Sequence, residues 1–408
     1  MLPSPSDPAR RQRQSGHQVE LLQGSQSYFS ALVHAIEASL HEVRFETYIF
    51  DVHGAGSHVA AALERAAMRG VAVTVVVDGV GTPELSAPWP QRWRLAGVQW
   101  RVFAPLGNLG LMVPSRWRRM HRKLCVVDGE VAFCGGINVL DDGYDPNHGL
   151  LSAPRFDFAV RVTGPLVQHA HVAMSQLWWR LQAAQKARQV DLEGAWAALR
   201  LAVQAKRELA TNEAATEGAW AELVLRDNLR FRTRIERAYL HALAEAKQDI
   251  VLANAYFLPG RKMRTGLINA AQRGVRVRLL LQGRYEYFMQ YHATRALYAP
   301  LLAAGVEIYE YQPSFLHAKV AVVDDQWATV GSSNIDPLSL LLAREANVVV
   351  QDEPFAKALN SALETALTTA AQQVNPVAHA SRPWRLKLLD ALAYLVLRSL
   401  LFINGKRY

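Results

Sequence analysis

Cysteine is scarce in this chain, with only Cys125 and Cys134 among 408 residues. Both stand in apolar, strand-like segments without a Cys/His cluster at zinc-ligand spacing, so we expect two core residues and no redox or metal centre. The N-terminal segment lacks an apolar run behind Arg10, Arg11 and Arg13, which argues against a secretory signal peptide. We therefore expect the folded body to stay in the cytoplasm.

Acidic residues are also in deficit. The chain has 45 Lys and Arg residues against 36 Asp and Glu, a formal net charge of +9, and half of its residues are hydrophobic. This composition predicts two or three globular domains with a large core and argues against disorder. The positive excess indicates an anionic partner, but charge does not decide between nucleic acid, an acidic membrane surface and a phosphate-bearing substrate.

An internal repeat organises the chain, because the segment 35–138 recurs as 242–334. Each copy has an apolar strand, an Ala-rich helical stretch and a second buried strand, entered through Arg69-Gly70-Val71 in the first copy and Arg273-Gly274-Val275 in the second. Strands that alternate with helices predict an α/β fold. We expect two homologous α/β/α sandwich halves related by a pseudo-twofold axis, which is the usual meaning of such a repeat.

The predicted domain boundaries follow this repeat. They are an N-terminal tail at 1–18, a first half at 19–180, a helical connector at 181–222, a second half at 223–375 and a C-terminal amphipathic helix at 383–408. The connector is rich in Ala, Gln, Lys and Arg with helical periodicity. The Gly- and Pro-containing segment 141–155 is predicted to be an irregular loop near the first motif.

The same polar motif ends both copies. Its residues are His121, Lys123, Asp128, Gly135, Gly136 and Asn138 in the first copy, and His317, Lys319, Asp324, Gly331, Ser332 and Asn334 in the second. The separation from His to Asn is 17 positions in both, from 121 to 138 and from 317 to 334. Identical spacing inside a matched repeat makes a chance match negligible.

The motif residues suit phosphodiester chemistry. On a strand, residues two apart share a face, so each His projects together with its Lys. An imidazole can attack phosphorus and carry protons near neutral pH, and an ammonium offsets charge on phosphate oxygens. We predict that Asn138, Asn334, Gly136 and Ser332 bind those oxygens, with two sets facing one phosphodiester. Because two lysines supply positive charge, no metal and no cofactor are predicted.

Asp128 and Asp324 leave two interpretations open. As motif members they are candidate catalytic carboxylates beside the histidines and lysines. An Asp that ends a strand before Gly or Asp is also ordinary turn chemistry, so a purely structural role is the alternative.

The duplicated HxKxxxxD motif with its Gly-Gly/Ser and Asn tail resembles the phospholipase D superfamily, from about Val19 to Val350. Segments 118–123, 253–257 and 327–339 are similar to the bacterial cardiolipin synthases in that superfamily. The resemblance implies that one histidine attacks phosphorus while the other protonates the departing alcohol, and that a second alcohol or water then attacks the phosphohistidine. It implies phosphatidyl transfer between phospholipids, with phosphatidylglycerol as acceptor and expected donor.

The resemblance also implies a carboxylate outside each motif that orients the histidine of that motif. The candidates are Asp157, which follows His121 by 36 residues (121 to 157), and Glu345, which follows His317 by 28 (317 to 345). A surface salt bridge is the alternative for either residue.

The family's usual order makes His121 the nucleophile and His317 the general acid. The arginines around the first motif, Arg118, Arg119 and Arg122, agree with this order, because they would draw the phosphate toward His121 and favour its neutral form. The repeat has one departure: Glu46 of the first copy becomes Asn254 in the second. We expect this difference to make the halves hold donor and acceptor differently.

Two segments favour lipid over nucleic acid. Residues 383–408 predict an apolar helix with a narrow stripe of Lys387, Asp390 and Arg398, which suits a helix lying in the membrane interface; docking on the protein core is the alternative. The loop 109–120 sets apolar residues beside cations just before His121. We predict anionic phospholipids and a membrane surface as partners, no nucleic acid, and a peripheral location on the cytoplasmic face of the bacterial inner membrane. A nuclease-type phosphodiesterase is the alternative function.

Overall fold

A computed structural model of the chain describes residues 14–107, 110, 117–145, 148–207, 218–227, 231, 233–336 and 343–403. The N-terminal arginines, most of the loop predicted to approach His121 and residues 208–217 of the predicted connector lie outside the described residues.

The strands, in chain order, are β1 (Gln14–Gln23), β2 (Glu42–Thr47), β3 (Ala72–Asp78), β4 (Gln99–Phe103), β5 (Arg119–Met120), β6 (Lys123–Val127), β7 (Val131–Gly135), β8 (Tyr144–Asp145), β9 (Gly149–Leu150), β10 (Phe158–Thr163), β11 (Ala219–Arg226), β12 (Asp249–Asn254), β13 (Arg276–Gln282), β14 (Glu307–Tyr311), β15 (Lys319–Val323), β16 (Trp327–Gly331), β17 (Ala343–Gln351) and β18 (Ala371–Gln373). The helices are α1 (Gly24–Ala38), α2 (Ala55–Met68), α3 (Trp89–Ala96), α4 (Leu166–Arg188), α5 (Leu192–Arg207), α6 (Arg234–Glu245), α7 (Arg261–Gln272), α8 (Phe288–Arg295), α9 (Tyr298–Ala303), α10 (Glu353–Thr369), α11 (Pro376–Ala380) and α12 (Trp384–Ile403).

The chain divides into two compact units. The first comprises residues 1–141 and 159–223, and the second comprises 142–158 and 224–408. Helices α4 and α5 pack on each other and both group with the first unit. The described parts of the predicted connector, 181–207 and 218–222, therefore group with the first unit. The segment predicted as an irregular loop contains the short β8-β9 hairpin.

The first unit has a central sheet with the strand order β1-β10-β7-β6-β2-β3-β4. Strands β2, β3 and β4 are parallel, whereas β6, β7 and β10 alternate in direction. Along β3, Val75 and Val77 enter the core formed with α1 and α2, while Val76 packs with Leu177 and Trp178 of α4. Successive side chains on a strand point to opposite faces, so this run of valines builds an α/β/α sandwich.

The second unit repeats this arrangement with the order β18-β14-β13-β12-β15-β16-β17. Strands β12, β13 and β14 are parallel, and β15, β16 and β17 alternate. Ile250 and Leu252 of β12 pack with Leu243 of α6 and Leu267 of α7, while α10 covers β15 and β16. The predicted fold class, two α/β/α halves, is confirmed.

The two cysteines are core residues, as predicted. Cys125 on β6 and Cys134 on β7 are both free thiols and fully buried. Burial raises the pKa of Cys134 to about 12 and raises the pKa of Cys125 as well, so both remain protonated thiols at neutral pH.

Candidate functional site

Each motif histidine lies just before a central strand of its sheet. Lys123 begins β6, which pairs with β2 and β7, and Lys319 begins β15, which pairs with β12 and β16. Every residue of the two strands is buried. The β-branched, apolar sequences of these strands fill the core on both faces, so the polar residues are confined to the strand ends.

Both motif lysines fold back onto the histidine that precedes them. Lys123 Nζ donates to the carbonyl oxygen of His121 at 2.7 Å, and Lys319 Nζ donates to that of His317. Both lysines are buried. Burial lowers the pKa of Lys319, and four carboxylates oppose this shift: Asp157, Glu345, Glu286 and Asp336. The ammonium groups are thus held at the main chain of the motif histidines.

The motif aspartates lie at the opposite ends of the same strands. The Asp128 carboxylate accepts backbone N–H groups of Leu40, His41 and Glu42, each at 2.8 Å. Asp324 accepts the N–H groups of Lys247, Gln248 and Asp249 at 2.8, 2.8 and 2.9 Å. A five-residue strand of roughly 3.3 Å per residue spans about 16 Å between lysine and aspartate. These contacts favour the structural role over the catalytic one.

The backbone at the two aspartates agrees with this role. Asp128 and Asp324 both have φ of 51°, the left-handed region that Asp tolerates better than most residues. Burial works against ionisation of Asp128, but the three backbone N–H groups outweigh it and lower the pKa. Each carboxylate therefore ties the end of its motif strand to the start of the neighbouring strand, β2 or β12.

Asp157 contacts the histidine of the second motif. Its Oδ2 lies 2.6 Å from His317 Nδ1, and its side chain is almost completely buried. The contact follows from main-chain pairing: Phe156 N donates to Phe315 O at 3.1 Å, and His317 N donates to Phe156 O at 2.9 Å. A carboxylate at Nδ1 fixes the ring and its tautomer, so Nε2 is the nitrogen that can exchange a proton with a substrate.

Glu345 and Asp157 occupy matching positions relative to the motif glycines. Ala159 pairs with Gly135, and Asn347 pairs with Gly331, so each carboxylate stands two residues before the partner of a motif glycine. Glu345 is fully buried. It accepts the hydroxyl of Ser332 at 2.5 Å.

The remaining predicted phosphate ligands have contacts of their own. The Ser332 hydroxyl, which donates to Glu345, holds that carboxylate in place; Gly136 offers only main chain at the matching position. Asn138 Oδ1 accepts the N–H of Ile49 at 3.1 Å, which leaves its amide NH₂ as the donating end. Asn334 Oδ1 is buried and meets no donor in the described part of the chain.

The replacement of Glu46 in the first copy by Asn254 in the second is accompanied by a second difference, at Arg122. In the first unit Glu46 forms a buried ion pair with Arg122, whose Nη2 lies 2.9 Å from Glu46 Oε1. In the second unit both partners are replaced, by Asn254 and Ala318. Removing only one member would leave a buried unpaired charge, so the two positions change together. The difference between Glu46 and Asn254 is therefore explained by the presence of the ion pair in one unit and its absence from the matching positions of the other.

Two of the three arginines near His121 are paired with carboxylates. Arg122 is neutralised by Glu46, and Arg119 lies 3.0 Å from the buried carboxylate of Asp78. Paired arginines exert a much weaker field on a substrate phosphate than unpaired ones. An aromatic neighbour that the sequence interpretation overlooked is Tyr48, whose ring centroid lies 5.0 Å from that of His121. The repeat could have indicated this neighbour, because both copies have a tyrosine at this position, Tyr48 and Tyr256.

Helix α12 docks on the second unit through the side that carries Asp390, Ala393 and Leu397, whereas Lys387 and Arg398 of the predicted stripe are exposed. Asp390 is buried, 2.7 Å from His292 Nδ1 on α8 and 2.9 Å from Arg382. Ala393 packs in a small core with Ala293 of α8. The opposite side exposes large apolar residues: Trp384, Leu386, Leu388, Leu392, Leu395 and Val396. Among the described helices, none is long and apolar enough to cross a membrane.

Comparisons with known proteins give a consistent result. A family model described as "Cardiolipin synthase, PLD-like domain" matches residues 32–178 and 239–367. Cardiolipin synthase B of Escherichia coli K12 is 37% identical over 386 residues, 94% of this chain and 88% of that protein. Cardiolipin synthase A of Pseudomonas fluorescens SBW25 is 30% identical over 344 residues, 84% of this chain and 67% of the relative. Phosphatidylserine synthase of Haemophilus influenzae Rd KW20 shares the fold, with a TM-score of 0.65, 12% identity and 94% of each chain covered.

Proposed function

This chain belongs to the family of phospholipase D-like cardiolipin synthase domains, and from that premise we propose that it is a phosphatidyltransferase that makes cardiolipin. It would move a phosphatidyl group from one phospholipid to the glycerol headgroup of phosphatidylglycerol. The observation that carries this proposal is the pair formed by Asp157 and His317 beside the buried ammonium of Lys319. An oriented imidazole next to a fixed positive charge is suited to acid–base chemistry on a phosphodiester.

The proposed reaction has two steps through a phosphohistidine. His121 attacks phosphorus, forming a P–N bond as the P–O bond to the first alcohol breaks, and His317 gives its proton to the departing oxygen. His317 then takes a proton from the second alcohol as that oxygen attacks phosphorus, and the P–N bond breaks to restore His121. The Asp157 carboxylate supports this division of roles, because it stabilises the protonated form of His317.

The proposal is tested with labelled phosphatidylglycerol, phosphatidylethanolamine and single-stranded DNA, each incubated with the protein in excess EDTA. We expect cardiolipin to form from phosphatidylglycerol even in excess EDTA, because two lysines supply the positive charge that other phosphoryl-transfer enzymes take from a metal ion. Products are separated by chromatography. DNA cleavage without a new phospholipid would support the nuclease alternative, and loss of all activity that Mg²⁺ alone restores would contradict the metal-free reaction.

We also propose that the protein sits peripherally on the cytoplasmic face of the inner membrane, seated by α12. The orientation of the helix supports this proposal: its charged Asp390 faces the protein, while Leu388, Leu392 and Leu395 are exposed. Contiguous exposed apolar surface is unfavourable in water and typical of interaction sites. A bilayer surface would cover the leucines and place the enzyme next to its phospholipid substrates.

Replacing Leu388, Leu392 and Leu395 by serine should weaken binding to vesicles of phosphatidylglycerol and phosphatidylethanolamine by roughly one to two orders of magnitude. The reason is that burying each leucine side chain in the bilayer surface contributes about 1 kcal/mol to the binding free energy. The measurement is co-sedimentation with vesicles, with thermal melting as the check on folding. The matched control replaces three exposed apolar residues of α5: Leu192, Leu199 and Leu201. If the α5 variant lost vesicle binding and the α12 variant kept it, α5 would be the helix that contacts the membrane.

A further inference from the structure

A cleft in the second unit adjoins His317 and has no role in the steps above. It encloses about 350 Å³, including space open to solvent. Two of its wall residues hydrogen-bond the main chain on either side of the histidine: Ala255 N donates to Ala318 O at 3.0 Å, and Gln282 Nε2 donates to Leu316 O at 3.5 Å. A group bound in this cleft would therefore lie next to the histidine that handles the alcohol proton.

Two hydrogen-bond acceptors stand in the lining of the cleft, the Glu286 carboxyl group and the Gln290 side-chain oxygen. Tyr256 Oη donates to Glu286 Oε1 at 3.0 Å, which holds the carboxyl group in place. Gln290 Oε1, also in the lining, is buried without a donor among the described residues. A buried acceptor without a partner is costly, so a ligand that donates a hydrogen bond to it gains that energy. The rings of Tyr287 and Tyr291 complete the lining with apolar surface.

The charges of the cleft favour a neutral ligand over a cationic one. Arg284 and Arg295 are both in the lining. Arg295 is paired with Glu310 at 2.6 Å, so Arg284 is the arginine that most disfavours an ammonium group nearby. Burial raises the pKa of Glu286. Hydroxyl groups can donate to Glu286 and Gln290 without bringing a charge into the cleft.

We propose that this cleft binds the polyol of the alcohol that reacts beside His317, with Glu286 and Gln290 accepting the hydroxyls of a glycerol headgroup. The inference rests on the proposed function, because the acid–base histidine must contact the oxygen of the departing or attacking alcohol. The rest of that alcohol then has to lie in the adjoining space. Glu286 would select a glycerol headgroup over an alcohol that lacks the extra hydroxyls, since a site built around buried polar groups rejects ligands that leave them unpaired.

The experiment uses the full chain and a short-chain phosphodiester donor with a p-nitrophenol leaving group, in the presence of equal concentrations of glycerol and 1-propanol. Mass spectrometry measures the ratio of the two transfer products, and nitrophenol release measures turnover. We expect wild-type protein to prefer glycerol. Glu286→Gln and Tyr256→Phe should each lower that preference by about tenfold, which corresponds to the loss of one buried hydrogen bond.

The control is a second tyrosine–glutamate pair outside the cleft. Tyr309 Oη donates to Glu307 Oε2 at 2.7 Å, so Tyr309→Phe and Glu307→Gln remove a similar hydrogen bond and should keep the wild-type ratio. Because the ratio is internal to each sample, it is independent of how much of a variant folds. Turnover with the same ratio in wild type and cleft variants would overturn the cleft assignment alone. A wild-type protein that releases no nitrophenol would overturn the proposed function and the inference with it.

Discussion

Replacing either His121 or His317 by alanine should lower phosphatidyl transfer by about four orders of magnitude or more, because one change removes the nucleophile and the other the proton carrier. The measurement is cardiolipin formation from labelled phosphatidylglycerol. The control is His241→Ala, which removes an exposed histidine paired with Glu245 on α6 and should leave transfer unchanged. A His121→Ala protein with near wild-type transfer would refute the two-histidine reaction.

The same variants assign the nucleophile. A methyl p-nitrophenyl phosphate donor loses its leaving group without acid help, so His317→Ala should still accept the methylphosphoryl group and be unable to pass it on efficiently. Mass spectrometry after an alkaline, denaturing quench, which preserves phosphohistidine, should find the adduct on the peptide that contains His121. An adduct on His317 in the His121→Ala protein would reverse the assignment while keeping the covalent step.

Asp157→Asn should have the next largest effect, a loss of roughly 10³- to 10⁴-fold in transfer between natural phospholipids, comparable to loss of the orienting carboxylate in a serine-protease triad. The amide can present its NH₂ to His317 Nδ1 and so favour the wrong tautomer. The loss should be much smaller for nitrophenol release, because that leaving group departs without a proton. Transfer and release are compared in the same preparations.

The control for this change is Asp191→Asn, which alters an exposed aspartate paired with Lys186. If Asp157→Asn lowered both reactions equally, Asp157 would hold the local fold and not the proton of His317. That result would also weaken the assignment of His317 as the general acid.

The motif and its strands could be predicted because both depend on local rules. The lysines lie beside the motif histidines as period-two alternation requires, and the repeat predicts the two sandwiches. The contact between Asp157 and His317 could not be read in the same way, because it depends on main-chain pairing of Phe156 with residues more than 150 positions away. The spacing of Asp157 after His121 was therefore a poor guide to its partner. The shared position of Asp157 and Glu345 relative to the motif glycines is visible only in the strand pairing, because Asp157 follows Gly135 by 22 residues (135 to 157) and Glu345 follows Gly331 by 14 (331 to 345).

Charge patterns alone also did not indicate which of the arginines are paired with carboxylates. Arg119 and Arg122 look like an electropositive approach to His121 in sequence, but each meets a buried carboxylate from a distant strand. The periodicity of the C-terminal helix revealed the polar stripe with Asp390 but did not indicate which side faces protein. The stripe seemed to mark a solvent face, whereas His292 and Arg382 turn Asp390 inward.

The contacts of Asp128 and Asp324 change what a match to this motif means. The interval from lysine to aspartate measures the length of one buried strand, from the end that carries the histidine to the end that is tied to its neighbour. Inserting one residue would turn the lysine to the opposite face of the sheet or pull the aspartate from its three N–H groups. A distant chain that keeps the aspartate and the interval but lacks the histidine would share this architecture without sharing its chemistry. Searches for active relatives should therefore weigh the histidine and lysine separately from the aspartate.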